Sequence, residues 1–440
     1  MRKPAAIALL SLCAAAQTAA PSLDTLLKKS YLELVELAPG LNLPAKSIDD
    51  FRQRIEVRRK EDMDGLDAEK KRLQAEADDI HRQLAALNAS ASTDDAAMAK
   101  RRALLHCRLT RNQIELSQSH TERAMAIPVM YDHQLSKLDI LAQWPARKQQ
   151  IAAAIAAGHA RVRHWGDIDD IGYRKLGQGQ EGDVKLGEDA VNELRAWRML
   201  PPDLDSRPIE AYIAEVAGRV AAASDLRVPV RPEVLATAEI NAFGLPGGRL
   251  LVDAGLIANA DNESELAGVL AHEIAHIAAR HGDRLTKPTG SVQRMLFQGI
   301  SMAADAFTGG AVGEARSAAH DYLGLGVHLN LALLGVNRET EAEAGQLGTQ
   351  YLWHAGYDPR GFVRFYDRMA GQADHSATAS FFRTHPPGGD RALATLSELA
   401  YLPKKEPERV NSESFVRVKA LTEAWLKAHT SRPVKPQCAE

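Results

Sequence analysis

Two histidines four residues apart, with a glutamate beside the first, form the pattern His-Glu-x-x-His at His272, Glu273 and His276. On a helix, positions four apart lie one turn from each other on one face. Two imidazoles so placed can bind one zinc ion, and the neighbouring carboxylate can serve as a base for water at that ion. The plain alternative for these residues is two core histidines and a solvated glutamate. A catalytic zinc of this kind needs a third protein ligand. Glu341, about 65 residues after His276, lies near the start of a separate predicted helix and offers that carboxylate.

The elements that must position these groups are legible around them. The stretch NESELAGVLAHEIAHIAARHG, Asn262 to Gly282, predicts one helix. Asn262 caps its start, with Glu265 three residues on for a capping box. Leu266, Leu270 and Ile277 recur at helical spacing, and Gly282 stands where a left-handed C-terminal cap is expected. Upstream, helices are predicted at Glu188–Met199 and Pro208–Ala223. Strands follow at Val228–Arg231, Glu233–Phe243 and Arg249–Val252, with Gly244–Gly248 as the turn between the last two. Downstream, Thr308–Gly313 reads as a flexible loop. The helix Arg338–His354, closed by Gly356 and Pro359, carries Glu341. A helix over about Pro359–Gly371, the loop Phe381–Pro387, a short helix from Arg391 and a last helix at Glu413–His429 complete the chain.

The 440 residues are 45% hydrophobic and 25% charged, with formal net charge -3. That length suits two or three domains, and the near-neutral charge gives no expectation of nucleic-acid binding. Arg2 and Lys3 before the apolar run Ala5–Ala16 predict a signal peptide over 1–20 and an exported, periplasmic protein. The alternative is lipid anchoring through Cys13, in Leu10-Ser11-Leu12-Cys13. Cys107 and Cys438 remain after cleavage and either pair or stay free. The apolar stretch Tyr322–Leu334 is interrupted by Gly, His and Asn, which suits peripheral membrane contact rather than crossing.

Residues 21–165 are expected to be helical. Met63, Leu66, Leu73, Ala77, Ile80, Leu84 and Leu87 make a coiled-coil seam on a long charged helix, Ser47–Leu87. Asn88–Asp95 is a polar turn, and a second helix runs from about Ala96 to Ala126, with Met98, Leu105, Leu109 and Leu116 on one side. Together they predict an antiparallel hairpin. Pro128 and Pro145 punctuate the next segment, before a helix at about Arg147–Val162. The hairpin is either an arm that grips a partner or a scaffold packed on the rest. Residues 166–186 read as a linker, 187–400 as the catalytic domain, and 401–440 as a C-terminal helix and tail.

The chain resembles the gluzincin metallopeptidases of the HtpX and CAAX-prenyl-protease type. The resemblance covers about Gly187–Leu399. It rests on Asn241-Ala242-Phe243 with Pro246-Gly247-Gly248, the His272–His276 pattern with Arg280-His281, and Glu341-Ala-Glu343-Ala. Ala355-Gly356-Tyr357-Asp358-Pro359 and Thr384-His385-Pro386 with Arg391 complete it. It implies an α+β, mainly helical fold: a metallopeptidase domain with a small sheet, here preceded by the helical hairpin. Export without a membrane span is most similar to the periplasmic, BepA-like branch. That branch carries helical repeats after the domain, where this chain has no 34-residue period. A second departure is Gly345, where the family pattern has an Asp that usually orients a ligand His.

The resemblance implies an endopeptidase holding one zinc ion through His272, His276 and Glu341, with Glu273 as general base. Arg391 or His385 would stabilise the developing oxyanion. His385 has an alternative: to occupy the open metal position and silence the enzyme. His281 reads as a helix-end residue rather than a ligand. The strand ending in Asn241, Ala242 and Phe243 would bind an extended substrate by edge pairing. Expected partners are unfolded or misassembled proteins and envelope assembly factors. The competing function is a non-catalytic or latent, chaperone-like client binder that keeps a zinc site, a reading favoured by Gly345.

Overall fold

The computed structural model describes residues 22–89, 96–158, 164–165, 168–169, 171, 176, 178–196, 200–281, 338–372, 381–382, 384–405, 408–429 and 436–438. The expected signal peptide, the loop 308–313, the apolar stretch 322–334 and Gly282 lie outside them.

The N-terminal part is helical, as expected. Short helices α1 (Leu23–Leu26) and α2 (Tyr31–Leu37) precede α3 (Ala45–Ala89) and α4 (Ala96–Ile114). Leu66, Leu73, Ile80 and Leu84 of α3 are buried, with Leu105 of α4 packed on Ile80 and Leu84. The Asn112 amide donates to the Leu73 carbonyl at 3.1 Å and Arg102 to that of Leu87 at 3.4 Å. Pairing 112 with 73 and 102 with 87 makes the hairpin antiparallel.

The prolines do not end the next helix. A six-residue π-helix, Glu115–His120, joins α4 to α5 (Thr121–Ala156), which runs through both Pro128 and Pro145. An interior proline costs a helix about 3 kcal/mol. Val129, Leu138, Ile140, Leu141, Trp144 and Ile151 of α5 are all buried, and full burial contributes about 1.5–3 kcal/mol per large apolar side chain. Tertiary burial therefore outweighs the two local penalties. Val129, Ile140, Leu141, Trp144 and Ile151 share one core with Val216, Leu270 and Phe365 from the part of the chain after residue 182.

That part begins with α6 (Asp183–Ala196) and α7 (Arg207–Ala222). Three strands follow: β1 (Arg231–Leu235), β2 (Ala242–Leu245) and β3 (Arg249–Asp253). Their order is β1-β3-β2, with β1 parallel and β2 antiparallel to β3. The predicted strand Glu233–Phe243 is thus two strands, and only Arg231 of Val228–Arg231 is in one. The ladder breaks because Ala236 N–H donates to the Pro202 carbonyl and the Thr237 carbonyl accepts from Gly255. Those bonds turn the chain out of the sheet until Ala242.

Helix α8 (Ala254–Asn259) leads to α9 (Glu263–Ala278), which carries the His-Glu-x-x-His pattern. Around it lie α10 (Arg338–His354), α11 (Gly361–Gly371), α12 (Gly389–Tyr401) and α13 (Glu413–His429). The N-terminal helices reach this layer through Asp367 of α11, which accepts from Tyr31 N–H at 2.9 Å and lies 2.6 Å from His133 Nε2. The class is α+β and mainly helical with a small sheet, as the sequence predicts. Among the described residues no helix is long and apolar enough to cross a membrane. Cys107 and Cys438 are paired, their Cα atoms 5.7 Å apart, a normal span for a disulfide.

Candidate metal centre

Every residue of α9 is buried. A helix apolar nearly all round belongs in a core, so its polar residues meet protein groups rather than water. Asn262 caps it as expected, accepting from Glu265 N–H at 3.1 Å. Glu265 returns to Asp261 N–H, one residue before the expected cap partner.

The C-terminal end differs from expectation. The left-handed residue is Arg280, at φ 54, two positions before Gly282. His281 N–H donates to the His276 carbonyl and Arg280 N–H to that of Ile277, both at 3.0 Å, which makes a Schellman turn. A non-glycine residue there costs about 1–2 kcal/mol. Two bonds from the Arg280 guanidinium to Asp183, at 2.6 and 2.7 Å, hold it. The Gln180 amide donates to the last-turn carbonyl of Ala278 at 2.9 Å. The end of the segment read as a linker is therefore built into this helix terminus.

Within the buried layer, His272, His276, Glu341 and His385 form a group whose ligand atoms all lie within 4.8 Å of one another. The two Nε2 atoms of α9 are 3.1 Å apart. His272 Nε2 is 3.3 Å from Glu341 Oε2, and His276 Nε2 is 3.1 Å from Glu341 Oε1. Donors about 2.1 Å from a tetrahedral zinc stand about 3.4 Å from each other, so these spacings fit one ion. The chemistry fits as well: imidazole nitrogens and a carboxylate oxygen converge on one buried point. Burial pushes the His272 imidazole down to about 3, which keeps it neutral as a ligand must be. Burial alone would raise the Glu341 carboxyl; Arg391, then His385, His272 and His276, outweigh it and hold Glu341 well below the usual carboxylate range.

Glu273 faces the sheet. Its Oε2 accepts from Gly244 N–H of β2 at 2.9 Å. A Cβ at Gly244 would meet the Glu273 carbonyl at 2.6 Å, so the close approach of strand and helix requires glycine there. Among the described residues Glu273 Oε1 has no hydrogen-bond partner, although His385 Nε2 lies 3.2 Å away, out of line for a bond. Burial would raise the Glu273 carboxyl, but His385 and the two α9 histidines lower it below its ordinary value.

His385 sits just after the turn Phe381–Thr384, with Nδ1 3.3 and 3.4 Å from the two Glu341 oxygens. Burial would lower it, but Glu273 and Glu341 push it up to about 9. Arg391, in the first turn of α12, is 2.6 Å from Glu341 Oε2 and 3.2 Å from His272 Nε2. Phe362 of α11 stacks on His272 with ring centroids 4.6 Å apart.

Asn241 is 3% exposed. Its Oδ1 accepts from Ala242 N–H at 2.9 Å and Thr384 hydroxyl at 3.2 Å, tying the strand to the His385 turn. Ala242 and Phe243 lie on β2, the outer strand next to Glu273.

Residues 206–400, which include His272, Glu273, His276, Glu341, His385 and Arg391, match the model of peptidase family M48. That stretch of the chain is similar to M48 peptidases. It is 30% identical over 209 residues to the beta-barrel assembly-enhancing protease of Yersinia pestis, covering 46% of this chain and 41% of that protein. It is 28% identical over 252 residues to the mitochondrial metalloendopeptidase OMA1 of Schizosaccharomyces pombe, covering 56% and 68%. It is 29% identical over 168 residues to the metalloprotease YcaL of Escherichia coli, covering 37% and 60%. The chain thus spans less than half of the Yersinia protein.

Around Gly345 the packing has closed over the position where the family pattern has an Asp. A Cβ at Gly345 would lie 2.6 Å from Thr395 Oγ1. Gly345→Asp is therefore expected to lower stability and activity, not to restore a lost contact. Gly345→Ala isolates the steric part. It should cost about 1–3 kcal/mol by denaturant unfolding, and adding Thr395→Ala should recover most of it. A neutral Gly345→Ala would mean that Thr395 turns aside freely.

Sequence reasoning missed the groups behind His276. His281 Nδ1 lies 2.9 Å from His276 Nδ1, and His281 Nε2 lies 3.2 Å from Glu343 Oε2. Glu343, two residues after Glu341 on α10, thus reaches the site through His281. The signal that could have found them is the Arg280-His281 pair five residues after His276, provided the helix ends at Arg280.

Proposed function

We propose that this protein is a zinc-dependent endopeptidase of the cell envelope, acting on misfolded or unassembled proteins. The observation that carries the reading is the convergence of His272, His276 and Glu341 on one buried point, with Glu273 beside it against an outer strand. His272 and His276 through Nε2, and Glu341 through its carboxylate, would hold the ion. Zinc when bound supplies a Lewis acid that lowers the pKa of water and polarises a carbonyl.

The protein groups divide the remaining work. Gly244 N–H anchors Glu273 Oε2, which leaves Oε1 to take a proton from water and return it to the leaving amine. An extended peptide lies along β2, near Ala242 and Phe243, by backbone pairing. Asn241 acts indirectly, by holding the Thr384 turn. Arg391 keeps Glu341 ionised and aimed; its 2.6 Å contact favours that role over oxyanion stabilisation. The envelope setting rests on the signal-like residues 1–20 and on relatives named for beta-barrel assembly.

The deciding experiment is cleavage of an unfolded protein by the purified chain. It should stop with a zinc chelator and return on adding zinc. Cleavage indifferent to the chelator would overturn the reading.

One observation favours a latent state of the same site. His385 stands against both Glu273 Oε1 and Glu341, where it obstructs the base. His385→Ala is expected to raise cleavage several-fold at unchanged zinc content, since the turn bearing His385 no longer has to move. A loss of cleavage with zinc retained would instead give His385 a role in the transition state.

A further inference from the structure

A ligand histidine binds metal through one ring nitrogen only if the other carries the proton, and the partner of that other nitrogen decides this. Among the described residues His272 Nδ1 has no hydrogen-bond partner. His276 Nδ1 does: His281 Nδ1 at 2.9 Å, with Glu343 Oε2 3.2 Å beyond the far side of the His281 ring.

The proton positions along this row are set from one end. A carboxylate only accepts, so His281 Nε2 carries the hydrogen and donates it to Glu343. Neutral His281 then has a bare Nδ1, which accepts from His276 Nδ1–H. His276 Nε2 is left bare, and that atom lies 3.1 Å from Glu341 Oε1 and 3.1 Å from His272 Nε2.

We propose that His281 and Glu343 are positioning residues that lock His276 in the tautomer able to bind zinc, and so do for this site what the carboxylate absent at Gly345 would do. The inference rests on the zinc reading given above. The surrounding construction supports it. His281 is 1% exposed, and its place behind His276 depends on the left-handed turn at Arg280. Backbone strain of that kind persists where the surroundings over-determine it. Here Asp183 and the Gln178 carbonyl hold the arginine, with Gln180 bound to the same helix end. The turn folds the chain back by one residue more than the helix would allow, which brings the His281 ring edge-on to His276 with centroids 4.8 Å apart.

The test is zinc affinity of the full chain, by competition with a chromogenic chelator, with melting of the zinc-free protein measured alongside. His281→Ala should weaken zinc about 10–100-fold, the usual loss when the group behind a ligand histidine is removed. Glu343→Gln should weaken it less, because an amide oxygen still accepts. His281→Asn should bind nearly as wild type, since Asn Oδ1 takes the place of the accepting Nδ1. His281→Leu, which keeps bulk without an acceptor, should behave like His281→Ala. A purely structural His281 would change melting and leave the Asn and Leu variants alike, which would overturn the proposal. So would wild-type affinity in both His281→Ala and Glu343→Gln. A wild-type chain that takes up no zinc would overturn the zinc reading itself, together with this inference.

Discussion

Glu273→Gln is expected to keep its zinc and lose cleavage. The amide can still accept from Gly244 N–H, so the strand and helix stay together. It cannot take a proton from water. Loss of a positioned general base costs typically 10²–10⁴-fold in rate, and the lower part of that range would already remove activity from an unfolded-protein assay. Elemental analysis of the same sample separates this from metal loss. Cleavage within about tenfold of wild type, below the smallest usual effect of a general base, would mean that Glu273 is only the anchor of β2, and the base would have to be sought elsewhere.

Glu341→Ala should have the opposite profile: zinc falls from about one per chain to nearly none, because two ligands of a three-ligand set remain. The fold should also suffer. Arg391 would be left buried with no carboxylate 2.6 Å away, and breaking a buried pair by removing one partner costs about 3–5 kcal/mol. Adding Arg391→Leu should recover part of the stability without recovering zinc. Equal zinc in wild type and Glu341→Ala would take Glu341 out of the ligand set.

Much of this centre was legible because its parts are local. His272 and His276 need only one helix, and Asn262 and the Leu266, Leu270, Ile277 stripe announce that helix. Glu341 was legible from the need for a third ligand and from its place near the start of a separate helix, Arg338–His354, and the resemblance added its motif. The illegible parts depend on packing between distant segments. Nothing near Pro128 or Pro145 says that α5 continues; the buried Val129, Leu141 and Trp144 decide it. The break after Leu235 depends on a carbonyl at Pro202 and an amide at Gly255. Arg280 takes the left-handed conformation expected of Gly282, because Asp183, 97 residues earlier, holds its side chain. Glu343 meets the site only through a ring 62 residues upstream.

The bond between Cys107 and Cys438 closes a covalent ring with a sequence separation of 331. That ring encloses α5, the sheet, the zinc helix and the whole segment from 282 to 337. A single cut anywhere inside it severs the backbone without releasing a fragment. A chain that had cut itself there would keep its mass and migrate as one band until a reductant was added. The bridge also fixes an order of events. It cannot form until Cys438 has been made, so the hairpin stays untied until the zinc helix and all else within the ring have been synthesised.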